Sequence, residues 1–251
     1  MGIWNDLKTL YHLTLKPIRG KDHAARLESF YGGQANAYDD FRKRLLRGRE
    51  RLCSLIDAPS GGRWIDMGGG TGANLEFFGE RIGDLERVSV VDLSPSLLKV
   101  AAERAESHGW KNVETIEADA TTFQPADGLV DVVTFSYSLT MIPDWFAAIE
   151  NAKRMLKPDG IIGVVDFYVS RKFPPGNWKS HRWFTRTFWP TWFGLDNVFP
   201  SPDHLPFLSR HFQPVVLEEH RSKVPYMPLI RTPYYIFVGK NRTVEGGSKE
   251  M

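Results

Sequence analysis

The stretch Asp66-Met67-Gly68-Gly69-Gly70-Thr71-Gly72 follows directly on the apolar pair Trp64-Ile65 and runs into a Leu- and Phe-containing segment at 74–78. Glycines at 68, 70 and 72 let a backbone turn tightly and come close to a ligand without a Cβ in the way. The spacing predicts a strand, a sharp loop and then a helix whose free N–H groups attract an anionic group. It differs from the dinucleotide fingerprint G-x-G-x-x-G. Here the glycines are spaced G-x-G-x-G, with an acid two residues before the first.

Working outward, apolar runs at 64–65, 88–91, 113–116, 130–135 and 161–167 alternate with helical segments at 95–107 and 145–156. Most of the runs are rich in Val and Ile and continuous, as expected for strands covered on both faces of a parallel sheet. Strand, helix, strand in succession implies parallel pairs joined by right-handed crossovers. Two further runs at 215–218 and 234–238 bring the expected strands to seven. Each of three strands ends in a polar group at the rim where such sheets bind ligands. Asp92 ends the second and is placed to accept ribose hydroxyls, with Leu93 beside it. Asp119-Ala120 follow the third, where Asp119 can cap a helix. Ser136 and Tyr137 end the fourth.

With these acids in place, the glycine loop resembles motif I of class I S-adenosylmethionine (SAM)-dependent methyltransferases. The resemblance implies an α/β Rossmann-like sheet, mostly parallel, with SAM held by Asp66, Gly68, Gly70, Gly72, Asn74, Asp92, Leu93, Asp119, Ala120 and Ser136. A narrower likeness rests on the strings Phe30-Tyr31-Gly32-Gly33-Gln34-Ala35-Asn36-Ala37-Tyr38-Asp39, Leu45-Leu46-Arg47-Gly48-Arg49-Glu50, Ser136-Tyr137-Ser138-Leu139-Thr140-Met141-Ile142-Pro143 and Val164-Val165-Asp166-Phe167-Tyr168. Over roughly residues 27 to 213 the chain resembles the methyltransferase part of betaine lipid synthases. That family N-methylates diacylglyceryl-homoserine to diacylglyceryl-trimethylhomoserine. The resemblance therefore implies a lipid substrate, and a separate aminocarboxypropyl transferase as the partner that builds the headgroup. It also implies that Tyr38, in a helical lid before the sheet, contacts the methionine end of the cofactor.

The acceptor pocket is expected over the ends of strands four and five. Tyr137, Asp166 and Tyr168 are the candidate catalytic residues there. Tyrosine faces stabilise a growing ammonium charge, and Asp166 would pair with the ammonium or accept its proton. Since neighbouring strand residues point to opposite faces, one of the two tyrosines belongs to the core in the alternative reading. Met141, Trp183, Arg42 and Arg47 are candidate substrate contacts. The arginines, Arg49 with them, suit a carboxylate, or else form a solvated helix face.

The chain has 251 residues, 42% apolar and 25% charged, and a net charge of +2. That suits one globular α/β unit and gives no ground for a nucleic-acid partner. A lone cysteine, Cys53, excludes an internal disulfide and fits a reducing cytoplasm. The seven histidines show no i, i+4 pairing on an apparent helix, so no metal is expected. No run reaches the ~20 apolar residues of a spanning helix.

Residues 1–56 read as a helical lid whose first 20 residues, with Ile3, Trp4, Leu7, Leu10 and Tyr11 on one face, suit a membrane-contact helix. Residues 57–240 form the catalytic domain and 241–251 a disordered tail. An insert at 170–213 interrupts the strand–helix rhythm. It carries Phe173, Trp178, Trp183, Phe184, Phe188, Trp189, Trp192 and Phe193 among Lys172, Lys179, Arg182 and Arg186. Such a mixture fits either a core or a peripheral contact with an anionic membrane surface. Phosphatidylethanolamine or a quinone precursor is the alternative acceptor. Aminocarboxypropyl transfer and a non-catalytic SAM-binding subunit remain the alternative activities.

Overall fold

The computed structural model describes residues 45–242 apart from 196, 225 and 226. The expectations for residues 1–44, which include Gln34, Tyr38, Arg42 and the amphipathic N-terminal stripe, lie outside the described residues.

The described elements run α1 (Arg49–Leu55), β1 (Arg63–Met67), β2 (Arg87–Asp92), α2 (Pro95–Ser107), β3 (Val113–Glu117), β4 (Val130–Ser136), α3 (Trp145–Met155), β5 (Leu156–Phe167), α4 (Trp183–Gly194), α5 (His204–His211), β6 (Phe212–Val224) and β7 (Met227–Asn241). The seven strands make one sheet in the order β3-β2-β1-β4-β5-β7-β6. The first five are parallel, and β7 enters antiparallel between β5 and β6. The expected class I methyltransferase architecture is therefore present. The order reverses between β1 and β4, and open sheets of this kind carry their ligand crevice at such a point.

Local chemistry explains the elements. β1, β2 and β4 are buried along nearly their whole length, so Val and Ile fill both faces. Pro95 opens α2 at a position whose N–H would be unbonded anyway, and Ser94 Oγ accepts from the Leu97 N–H. Asp144 caps α3 by accepting from Ala147 N–H at 3.2 Å. One core layer lies on the face carrying Trp64, Val90, Val132 and Phe167, where Trp64 stacks on Phe78 at 4.2 Å. The other holds Ile65, Val91, Phe135, Tyr168 and Tyr235 beneath α3 and α5.

Four expectations are corrected. The segment after the glycine loop forms two short 3-10 turns, Leu75–Phe77 and Gly79–Asp84. Gly79 takes φ 57°, which ends the first turn before a full helix can propagate. The fifth strand starts at Leu156, directly after α3, with a bulge opposite Val130/Val132. The last two strands are about three times as long as their apolar runs, since much of β6 is only half-buried and carries polar side chains. Asn241, placed in the tail by its polarity, ends β7. Its Nδ2 donates to the carbonyls of Lys153, Leu156 and Lys157, closing the end of α3.

His204 is fully buried between Trp145 and Tyr235, and neither ring nitrogen has a hydrogen-bond partner among the described residues. Burial pushes its pKa down to about 3, against 6.5 in the unfolded chain. Between these values the unfolded chain binds a proton that the folded chain does not, so stability falls as pH drops through this window. At pH 5 the cost is about 2 kcal/mol relative to pH 7. Urea unfolding at the two pH values is expected to show His204→Phe losing less stability on acidification than the wild type. Equal losses would mean that His204 is not the source.

Candidate functional site

The loop after β1 is fixed from beneath by a buried carboxylate. Asp66 is inaccessible to solvent and pairs in register with Thr134 of β4. Its Oδ1 accepts from Thr134 Oγ1 at 2.7 Å, and Trp64 Nε1 donates to that same hydroxyl at 2.7 Å. Its Oδ2 accepts from Asn74 Nδ2 at 2.9 Å, while Asn74 Oδ1 accepts from Ser136 Oγ at 3.2 Å. Burial pushes the Asp66 pKa up to about 6, opposed by the Asn74 and Thr134 bonds and by the charge of Arg49. Asp66, Asn74 and Ser136 thus lie behind the loop and stiffen it; none forms part of the cavity wall in front.

The loop itself is tied to β2. Gly68 and Gly69 N–H both donate to the Val91 carbonyl, and Gly70 N–H donates to Asp92 Oδ2 at 2.9 Å. Asp92 Oδ1 accepts from Ser94 N–H, also at 2.9 Å. The carboxylate therefore points at the loop, at the end of β2 where it borders the cavity. Gly68 has φ 63°, and a Cβ there would sit 2.5 Å from Ser138 Cβ. Gly72, at φ 67°, lies away from the cavity, where its lack of a side chain lets the loop sit on Ala101 of α2. Arg104 of α2 holds the loop's other flank, donating Nε–H to the Thr71 carbonyl at 3.0 Å and pairing with Glu76.

In front of the loop is a cavity of about 260 Å³. Its wall is made by Gly68 and Gly70, by Asp92, Leu93 and Leu97, by 118–121, and by Tyr137, Ser138 and 141–144. Asp92, Asp119 and Asp144 are its only charged side chains among the described residues. Asp119 accepts from Thr121 N–H and Oγ1, which holds the turn after β3. The expected Gly68, Gly70, Asp92, Leu93, Asp119, Ala120, Tyr137 and Met141 thus share one wall. Sequence reasoning passed over Ser138, whose hydroxyl donates to the Met67 carbonyl at 2.9 Å. The signal for it was its small size, which a glycine packed against its Cβ requires. Ile142, Pro143 and the cap Asp144 were also passed over.

Two catalytic candidates stand elsewhere. Tyr168 lies in the opposite core layer from Phe167, its hydroxyl donating to Glu219 Oε1 at 2.6 Å and its ring 5.0 Å from His181. The alternation of side chains along β5 puts it there. Asp166 is fully buried, accepting from Thr140 N–H at 3.1 Å and Thr140 Oγ1 at 2.7 Å, with burial pushing its pKa up to about 7. It supports the 3-10 turn Leu139–Met141 that presents Met141 to the cavity. Tyr137 does reach the cavity, from a left-handed backbone at φ 56°. Its hydroxyl donates to the Arg47 carbonyl at 2.6 Å, and its ring sits 4.6 Å from Phe167. Burial holds its pKa well above 10, so the phenol stays neutral.

Arg47 offers this carbonyl while its side chain is exposed. Arg49 is the buried arginine: its guanidinium donates to the Leu46 carbonyl, lies over Phe77, and lowers the pKa of both Asp66 and Tyr137. Trp183 is exposed and away from the cavity.

A glycine cradle facing a ribose-type carboxylate, on a sheet of order 3-2-1-4-5-7-6, has counterparts among known proteins. Residues 65–160 match the family model described as a methyltransferase domain. Over those residues the chain carries a methyltransferase domain. It is an enzyme of that class, and SAM is its cofactor. It is 29% identical over 168 residues to the ubiquinone/menaquinone biosynthesis C-methyltransferase of Shewanella halifaxensis, covering 64% of this chain and 67% of that one. Other curated relatives are matched over as little as 63% of their length, so the chain spans less than two thirds of most of them. A putative methyltransferase from Bacillus halodurans superposes with a TM-score of 0.63 at 17% identity, over 78% of this chain and 99% of its own. The 1,6-didemethyltoxoflavin-N1-methyltransferase of Burkholderia thailandensis, solved with S-adenosylhomocysteine, gives a TM-score of 0.59 at 18% identity, over 88% and 87%. The residues present suit the cofactor: the space that a Cβ at Gly68 would fill, and the Asp92 carboxylate on the same cavity wall.

Asp92→Asn is expected to raise the calorimetric Kd for SAM at least tenfold, about 1.4 kcal/mol, and to lower the melting temperature too, since one of the Gly70 and Ser94 N–H bonds loses its acceptor. An unchanged Kd would take Asp92 out of the site. Gly68→Ala is expected to lose SAM binding, because the added methyl and Ser138 compete for one space.

Proposed function

We propose that this domain methylates an amine nitrogen in the headgroup of an amphipathic lipid, with diacylglyceryl-homoserine as the acceptor. The observation that carries the reading is the chemistry of the cavity wall beyond the nucleoside end. Tyr137, Ser138, Met141, Ile142 and Pro143 form it, with Asp144 at the exposed mouth, and among the described residues no His, Cys, Glu or Lys lines the cavity. The neutral Tyr137 phenol is already bonded to a carbonyl, and Asp166 is sealed behind the turn. Such a wall offers no strong base beside the acceptor. An α-amino group needs none, since it titrates near ~8 in water and lower beside a sulfonium. A phenol or an enol-type carbon does not share that advantage.

Bound in the cradle, SAM supplies an electrophilic methyl group on a positively charged sulfur. Asp92 would accept from the ribose hydroxyls, and the loop between Gly68 and Gly70 would support the nucleoside. Tyr137 and Met141 keep water from the methyl end and set the acceptor's approach. Positioning of this kind contributes ~7–11 kcal/mol to a two-reactant step. The Tyr137 ring adds ~0.5–2 kcal/mol to a nearby ammonium. The homoserine headgroup itself would come from a separate aminocarboxypropyl transferase.

The names of the curated relatives favour a second reading, C-methylation of a quinone precursor. Methyl-labelled SAM with diacylglyceryl-homoserine, phosphatidylethanolamine or a demethylated quinol, each in detergent, separates the two. Label is expected in trimethylated homoserine lipid, at a rate rising with pH towards ~8. Label in the quinol alone would overturn the proposal.

A further inference from the structure

The insert between β5 and β6 has two faces. On the inner face Trp189 and Phe193 are buried, and Phe193 stacks on Phe167 at 4.7 Å. Phe167 in turn meets Tyr137 of the cavity wall at 4.6 Å. On the outer face Trp183 is 70% exposed and Phe184 63%, with Phe184 stacked on Phe188 at 5.2 Å. Phe173 in the preceding loop is 80% exposed. Phe199, after α4, is also exposed, and its N–H donates to the Thr140 carbonyl at 2.7 Å, one residue from Met141 in the cavity. The exposed rings therefore adjoin the cavity through the chain and through a continuous ring stack.

The charge around them has one sign. Residues 170–195 contain Arg171, Lys172, Lys179, Arg182 and Arg186 and no Asp or Glu. Arg171 is paired with Asp203 outside this stretch, and Lys179 leans on β6 through the Glu219 carbonyl. Lys172 lies 5.2 Å from the centre of the Phe173 ring, and Arg182 stands exposed beside Trp183. Large exposed rings set among cations are costly in water. They match a surface that is apolar below and anionic above, where rings enter the interface and cations meet headgroups.

We propose that the outer face of α4, with Phe173 and Phe199, is the surface by which the protein docks on an anionic bilayer, presenting the cavity to the interface. The proposal rests on the reading that the acceptor is amphipathic. The docked helix lies in the interface plane, since twelve residues are too few to cross it. Phe188 and Trp192 pass from the exposed to the packed side and transmit the contact to the stack above Tyr137.

The full chain is mixed with vesicles of phosphatidylcholine alone or with added phosphatidylglycerol and sedimented at low and high salt. Binding is expected to be about tenfold stronger to the anionic vesicles and to weaken with salt. The pair Trp183→Ser with Phe184→Ser, and separately Lys172→Glu with Arg182→Glu, is each expected to lower binding about tenfold. The Kd for SAM and the rate on detergent-dispersed acceptor should stay as in the wild type. Vesicle binding that neither pair alters would overturn the docking face, as would no binding by the wild type. So would a wild-type dimer in solution that Trp183→Ser with Phe184→Ser turns into a monomer, because a second copy would then occupy the face. Methyl transfer in detergent tests the acceptor assignment independently of all three.

Discussion

An ionisable carboxyl at the centre of an α/β sheet is expensive to bury, and the architecture here follows from how that cost is met. Asp66 has no solvent exposure, yet Thr134 of β4 and Asn74 beyond the loop each hydrogen-bond one of its oxygens. Thr134, Trp64, Asn74 and Ser136 form one chain of donors and acceptors running through β1, β4 and the segment beyond the glycines. Removing any one partner would leave a buried polar group unsatisfied, so the network fixes register and loop path together. The glycines are free to turn because something beneath them is not.

A second constraint is the two-residue alternation of β5. Phe167 and Tyr168 differ by one position and end in different core layers. Phe167 faces Tyr137 and α4, and so links the cofactor side to the aromatic insert. Tyr168 faces His181, Tyr235 and Glu219, where it orders the insert's first turns. Together they explain how a loop-rich insert without a strand of its own keeps a defined position over the sheet.

Much of this was legible from residue order. Continuous Val and Ile runs gave five parallel strands, and the glycines with Asp92 gave the crevice and the groups facing it. What was not legible depends on direction rather than identity. Nothing in the spelling Asp166-Phe167-Tyr168 says which face meets a cavity, because both layers are apolar. Arg47 and Arg49 look interchangeable in sequence, but Gly48, at φ 85°, turns the chain between them so that one is exposed and the other buried. The short 3-10 turns were missed because Leu and Phe content signals a helix while Gly79 stops it. The lengths of β6 and β7 were missed because an edge pair needs little apolar surface to pair its backbone.

The place of β7 in the sheet has a consequence for synthesis on the ribosome. β5 is complete as an element long before its outer neighbour exists, since Val164 and Asp166 pair with Phe237 and Tyr235 near the end of the chain. The nascent protein must therefore carry an unpaired apolar edge through roughly 70 further residues, a wait of several seconds at ~5–20 residues per second. During that interval α4, with its outward rings, has already emerged beside the open edge. Chaperone capture, or early contact with a lipid surface, would shield the nascent chain most during this stretch of translation.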